Sequence, residues 1–273
     1  MRAVFLALYR RVFARRVFYR LNLLVHGLSL RGIGILNYQD SQASGEASFL
    51  KRLARHSPPM VVLDVGANVG EFSCLVKCVS PAALVYAFEP HPQTFLKLQA
   101  AAAAHGFKAM HLALDQSAGR VTLYDYAGCP SGSEHASLSR EVIETCHGGE
   151  AIGREVEATT VDRFVDEKCL SMVHLLKVDT EGNELAVLKG AVVSIRRGIL
   201  PVVQFEFNEM NIATRVWFRD FWDLLPDYAF YRMLPDALVP LGEYNPVVYE
   251  VFAYQNIVAI RKDCPYYERL LND

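Results

Sequence analysis

Asp64, Glu89, Asp115, Asp179 and Glu206 each close a short apolar run: Met60–Leu63, Ala83–Phe88, Lys108–Leu114, Val173–Val178 and Ile199–Phe205. Runs of this length between turn residues read as buried strands. In a sheet of such strands, ligands sit outside the carboxyl ends. One carboxylate there is a helix cap as often as a ligand; five together predict a site. Their chemistry would be to accept sugar hydroxyls, to orient or deprotonate a nucleophile, or to ligate a cation.

The first run leads into Asp64-x-Gly66-x-Asn68-x-Gly70 and then an apolar helical stretch. Glycine lets a backbone approach a ligand closely, and the helix N-terminus behind it offers N–H groups to a negative group. Glu89 lies 19 residues after Gly70, where a carboxylate accepts both hydroxyls of a ribose. The pair predicts an adenosine-containing ligand. A nicotinamide fingerprint starting at Gly66 would need glycine at 68 and 71, where Asn68 and Glu71 stand. No Gly-Lys-Ser/Thr occurs, which removes a P-loop.

These residues need a scaffold. Strands are predicted over 60–65, 83–88, 108–114, 173–178 and 199–207. Helices are predicted over 71–79, 94–104, 161–167 and 184–197, the last with Leu185, Leu188, Val192 and Ile195 on one face. Residues 120–126 and 155–160 read as further strands, with a long loop over 127–153 between them. The tail adds a helix near 216–225 and strands near 228–233, 237–240 and 249–260. The alternation predicts an α/β fold: a mainly parallel sheet with helices on both faces.

Further strings give the pattern a family. Phe88-Glu89-Pro90-His91-Pro92 precedes Ala113-Leu114-Asp115-Gln116-Ser117-Ala118-Gly119; Leu176-Lys177-Val178-Asp179-Thr180-Glu181-Gly182-Asn183-Glu184 and Phe205-Glu206-Phe207-Asn208 follow. In order and spacing these resemble the FkbM family of S-adenosylmethionine-dependent methyltransferases, over roughly Asn37 to Lys262 and including Ser44-Gly45-Glu46. The resemblance implies a class I, Rossmann-like fold and O-methylation of a sugar, glycan or polyketide-type hydroxyl. It implies an antiparallel C-terminal strand, and it places Gly66, Ala67, Asn68 and Gly70 about the methionine part of the cofactor, Glu89 at the ribose and Asp115 near the adenine, with Phe72, Pro90 and Leu114 also binding the cofactor. Asp64 holds the turn or the cofactor's amino group.

Methyl transfer to an alcohol needs alignment and removal of one proton. Asp179, Glu181 and Glu206 are the expected catalytic cluster, with Asp179 leading as base or acceptor-orienting group. Two other roles stay open: cofactor binding alone for Asp179, and a helix N-terminal charge for Glu181. His91, His135 and Ser137, with Ser131, Ser133 and Ser139, are expected to meet the acceptor, although His91 could equally cap the helix after Pro92. No metal is expected, since no histidine joins the carboxylates in sequence. No Asn/Asp-Pro-Pro-Tyr string follows the fourth strand, which sets N-methylation behind O-methylation. The competing readings are a methyltransferase acting on a polyketide-like or lipid-linked small molecule, and a silent adenosyl-binding module.

Composition sets the remaining bounds. The 273 residues are 52% hydrophobic and 21% charged, with net charge −2; they suit one domain and give no general case for nucleic-acid binding. The six cysteines form no zinc pattern, Cys74 and Cys78 read as buried free thiols, and a reducing cytoplasm suits them. Residues 1–48 form a basic helical extension before a methyltransferase domain over 49–273. Its first 31 residues hold seven arginines and no acid among apolar residues near helical spacing. Two readings remain for it: a helix packed on the domain, or a peripheral contact with an anionic membrane or polyanionic substrate.

Overall fold

The structure, a computed structural model, describes residues 2–56, 59–127, 133 and 135–272. It opens with α1 (Arg2–Phe13), α2 (Tyr19–Gly32) and α3 (Glu46–His56). The alternating core follows: β1 (Val61–Val65), α4 (Glu71–Val79), β2 (Leu84–Phe88), α5 (Pro92–His105) and β3 (Lys108–Met110). Next come β4 (Ala113–Leu114), β5 (Gly119–Tyr126), β6 (Ala151–Thr159), α6 (Val161–Glu167) and β7 (Leu175–Val178). The chain continues through α7 (Glu184–Lys189), α8 (Val192–Arg196), β8 (Val202–Phe207), α9 (Met210–Thr214) and α10 (Phe218–Leu224). It ends with β9 (Tyr228–Met233), β10 (Leu238–Pro240), α11 (Pro246–Tyr249), β11 (Gln255–Arg261) and α12 (Tyr267–Asn272).

The eight-stranded sheet has the order β10-β9-β11-β8-β7-β1-β2-β3. β1 runs parallel to β2 and β7, and β7 to β8. β11 is inserted antiparallel between β8 and β9. The order reverses at β1, so the carboxyl ends of β1, β2 and β7 frame the crevice where such folds bind ligands.

Side chains alternate across each strand, and two cores result. Leu63, Val65, Phe88, Leu176, Val178, Phe205 and Phe207 pack on one face. Val62, Val85, Leu175, Val202, Val258 and Phe49 pack on the other. The same period of two puts Asp64, Lys177, Asp179, Gln204 and Glu206 on the second face, toward the carboxyl ends. α3 packs there through Phe49, Leu50 and Leu53, all fully buried, and carries Glu46 with it.

Several elements differ from expectation. The strand expected over 108–114 divides: β3 stays in the large sheet while β4 joins a second sheet of order β4-β6-β5. The helix expected over 184–197 breaks at Gly190, where a Cβ would stand 2.2 Å from the Asp115 carbonyl oxygen. The loop over 127–153 is partly ordered, with a wide helical turn at Val142–Cys146 whose Val142 and Ile143 are buried. The last strand is shorter, because Asn245 and Pro246 start α11. Cys74 is half-buried and Cys78 exposed, so the pair are not core thiols.

Residues 3–33 contain no buried side chain. Val4, Phe5, Leu8, Val17, Leu24 and Leu28 are all exposed, so the first two helices do not pack their apolar residues on the domain. Residues 34–47 do pack. Ile35 and Ala47 are fully buried, Leu36 N–H donates to the Tyr254 carbonyl, and a Cβ on Gly45 would stand 2.3 Å from the Leu234 carbonyl oxygen. Among the described residues, no helix is long and apolar enough to cross a membrane.

Candidate active site

The glycine turn after β1 is tied to the end of β2. The N–H groups of Gly66 and Ala67 both donate to the Phe88 carbonyl, and Gly70 N–H donates to the Ala67 carbonyl. These amides therefore fix the turn. Gly66 has φ +77°, and a Cβ there would lie 1.7 Å from the Asp179 carbonyl oxygen; no side chain fits between β1 and β7. Asn68 also has positive φ, a strain that costs about 1–3 kcal/mol and gathers at functional sites.

Glu89 ends β2 with its carboxylate aimed back at the turn. Oε2 accepts from Asn68 N–H at 3.1 Å and Oε1 from His91 N–H at 2.7 Å. Burial pushes its carboxyl up to about 7, and the two N–H bonds hold it down against that. Each oxygen keeps a further lone pair for an incoming hydroxyl.

Asp64 is fully buried. It accepts from Ser73 Oγ at 2.7 Å and stands 3.5 Å from Lys177 Nζ, and so ties β1 to α4 and β7. Lys177 Nζ also lies 3.1 Å from Asp179. Burial works against the lysine charge, but Asp179, Asp64 and Glu46 outweigh it and hold the ammonium above its usual range. Sequence reading missed this lysine. Its register partner is Asp64, and its position two residues before Asp179 puts both on one face of β7.

Asp179, Thr180 and Glu181 leave β7 in a loop organised by Glu184. Its Oε1 accepts from Thr180 N–H at 2.8 Å, Thr180 Oγ1 at 3.0 Å and Gly182 N–H at 3.1 Å. Burial raises the Glu184 carboxyl to about 7. Glu181 holds φ +56°, and burial raises its carboxyl while the His135 contact opposes the rise. Glu206, at the end of β8, accepts from the Asn208 amide. Burial, then the charges of Asp179 and Glu181, push it well above the carboxylate range, which favours a proton donor over a base.

Two cavities meet at this point. One, of about 400 Å³, is lined by Gly66, Asn68, Glu89, Pro90, Leu114 and Glu181 among others. The second, of about 440 Å³, is lined by Ser44, Glu46, Ala67, Phe72, Lys177 and Tyr254 among others. Tyr38, Gly66, Asn68, Glu71 and Asp179 border both. A continuous crevice therefore runs from Glu89 past Asp179 into the second cavity.

The remaining expected residues separate. His135 and Ser133 line the first cavity. Ser137 is buried and donates to the Glu181 carbonyl at 2.7 Å, so its hydroxyl pins the loop to the site. Ser139 N–H donates to that same hydroxyl at 3.1 Å. His91 caps α5 through Thr94 N–H and lies 3.4 Å from Asp125, outside the cavity lining. Asp115 sits behind Leu114, its Oδ1 3.4 Å from the Asn183 amide. Gly70 caps α4 with φ +93°. Ser131 lies outside the described residues. His147 was not expected at all, and the folded loop stacks it against His135 with ring centres 4.6 Å apart.

The reversal of strand order at β1, the turn that excludes a Cβ, the acid ending β2 and the antiparallel β11 together define a class I S-adenosylmethionine-dependent methyltransferase. The sequence matches the model of the Methyltransferase FkbM domain over residues 64–233. It is 34% identical over 181 residues to the 31-O-demethyl-FK506 methyltransferase FkbM of Streptomyces tacrolimicus, covering 54% of this chain and 69% of that protein. Over 188 residues it is 29% identical to the hexuronic acid methyltransferase AglP of Haloferax volcanii, covering 63% and 72%. Among solved structures, an O-methyltransferase from Bacillus cereus in complex with S-adenosylhomocysteine aligns over 95% of this chain and 97% of its own, with TM-score 0.44 and 10% identity. The chain belongs to the FkbM methyltransferase family.

Proposed function

We propose that the enzyme methylates a hydroxyl of a sugar or glycan. The observation that carries this reading is the position of Asp179, bordering both cavities within reach of Glu181 and Glu206, whose carboxyls feel its charge. S-adenosylmethionine, when bound, supplies an electrophilic methyl group on a sulfonium. Glu89 would hold its ribose, Leu114 would border the adenine, and Ser44, Glu46 and Ala67 would border its methionine end. Asp179 then orients the acceptor hydroxyl and takes its proton, with Lys177 holding the carboxylate in place. Glu206 borders neither cavity, so it has no assigned contact with the acceptor. The relation to a hexuronic acid methyltransferase and the polar lining from Ser133, His135, Asn183 and Glu181 support a sugar acceptor, while the 34% identity to the FK506 methyltransferase supports an FK506-type acceptor as the second reading.

Radiolabelled S-adenosylmethionine incubated with uronic acids, neutral sugars, lipid-linked oligosaccharides and hydroxylated macrolides tests the reading. Labelled methyl ethers on the sugars are expected. Label confined to macrolides, or cofactor binding without transfer to any hydroxyl, would overturn it.

We further propose that the N-terminal helices contact an anionic membrane surface. Residues 1–31 carry seven arginines and no acid, and their apolar side chains stand exposed beside them. Charge complementarity selects anionic lipid as the occupant. Sedimentation with phosphatidylglycerol vesicles should capture the protein in a salt-sensitive way, and equal recovery on neutral vesicles would refute the contact.

A further inference from the structure

The loop between β5 and β6 brings two histidines to Glu181, and nothing in the methyl-transfer account uses the second of them. His135 Nδ1 lies 3.6 Å from Glu181 Oε1. The His135 and His147 rings lie 4.6 Å apart with their planes within 24°. One ligand atom from each of His135, His147 and Glu181 falls within 4.8 Å of the others. The loop is anchored where it presents them: Ser137 bonds the Glu181 carbonyl, Ser137 and Tyr124 pair as an isolated bridge, and Val142 and Ile143 are fully buried.

Two polar atoms of this trio are buried without a hydrogen-bond partner, His147 Nε2 and Glu181 Oε2. A buried polar atom without a partner costs about 1–3 kcal/mol. Two of them in one three-residue cluster point to a missing common partner. A proton shared by two groups would satisfy one pair and leave the third residue as it is. A cation satisfies all three at once.

We propose that His135, His147 and Glu181 bind a divalent transition-metal ion of the zinc type at the mouth of the cofactor cavity. Two imidazole nitrogens and one carboxylate oxygen are the protein ligands of catalytic zinc sites, which keep a further position open. Bonds of about 2.0–2.2 Å require ligand atoms about 3–4 Å apart, so side-chain rotations of about an ångström close the set. His135 and Glu181 both line the first cavity, so the open position faces it. An acceptor oxygen there would be held beside Asp179 and made more acidic. That last role rests on the hydroxyl-methylation reading; the ion site itself does not.

The test is a cobalt(II) titration of untagged full-length protein stripped with a chelator, followed by the visible d–d bands. One equivalent should bind, zinc should displace it, and His147→Ala and Glu181→Gln should each weaken binding by at least about tenfold, the effect already of losing an outer-sphere partner. His105→Ala, on the exposed end of α5, should bind like wild type. Calorimetry with S-adenosylhomocysteine on every variant shows that the fold is retained, and His147→Asn and His135→Ala replace any variant that fails this check. Absence of cobalt and zinc binding at micromolar ion, or wild-type binding in folded His147 and Glu181 variants, would overturn the proposal. Cobalt binding without methyl transfer would leave the ion site standing and remove the acceptor reading, so the two failures are distinct.

Discussion

Glu89→Gln should separate the ribose contact from the rest of the cofactor site. In the free protein burial lifts the Glu89 carboxyl to about 7, yet only the ionised form accepts from both ribose hydroxyls while keeping its bonds from Asn68 and His91. Ligand binding therefore favours the ionised form and releases a proton. Raising pH toward 7 strengthens binding, and below 7 affinity falls toward tenfold per pH unit, about fiftyfold between pH 7 and pH 5. Glutamine removes one charge-assisted hydrogen bond and turns an amide N–H₂ toward a backbone donor. Loss of such a bond costs about 1.5–3 kcal/mol, or about ten- to a hundredfold in affinity at pH 8. Calorimetric titration with S-adenosylhomocysteine from pH 5 to 8, in buffers of differing ionisation heat, reads both quantities. A variant that binds as tightly as wild type with the same pH slope would refute the ribose assignment. The shift has a second consequence with the same sign. The folded carboxyl holds its proton more tightly than the unfolded one, so its contribution to stability is full below pH 4.5 and is lost as pH rises through 7 in the ligand-free protein.

Other substitutions test other parts of the site. Lys177→Met leaves the buried Asp64 without its cation; breaking such a pair costs about 3–5 kcal/mol, visible as a large fall in melting temperature, and a fall of under a degree would remove Lys177 from the framework. Gly66→Ala forces a Cβ into the Asp179 carbonyl at positive φ, and ligand binding should be lost in calorimetry even where circular dichroism shows folded protein; retained binding would contradict the close approach. Deleting residues 1–33, of which residues 3–33 bury no side chain, should move the melting temperature by no more than about 2 °C while abolishing vesicle capture.

The parallel core was legible because its strands are short apolar runs punctuated by Gly and Pro, and α4 and α6 span the ranges expected for them. Period-two alternation also carried Lys177 and Glu46's partner Gln204 onto the face of Asp64, but only the register of β1 against β7 showed that they meet. Two kinds of feature escaped the sequence. The helix breaks at Gly190, where the Asp115 carbonyl approaches too closely for any Cβ, a tertiary contact that local propensity does not record. His135 and His147 reach Glu181 from 46 and 34 residues upstream, through a loop with no periodicity to place them. Ser137 shows the converse: a hydroxyl suited to an acceptor is held by a carbonyl of the chain itself.

Methyl transfer by Asp179→Asn bears most directly on the enzyme's chemistry. With labelled S-adenosylmethionine and the best sugar acceptor, this variant should bind S-adenosylhomocysteine within about threefold of wild type, a difference under 1 kcal/mol, and lose transfer by about a hundredfold or more, the contribution of a positioned proton acceptor. Transfer at a near-wild-type rate would contradict the assignment of Asp179 as the group that takes the acceptor proton.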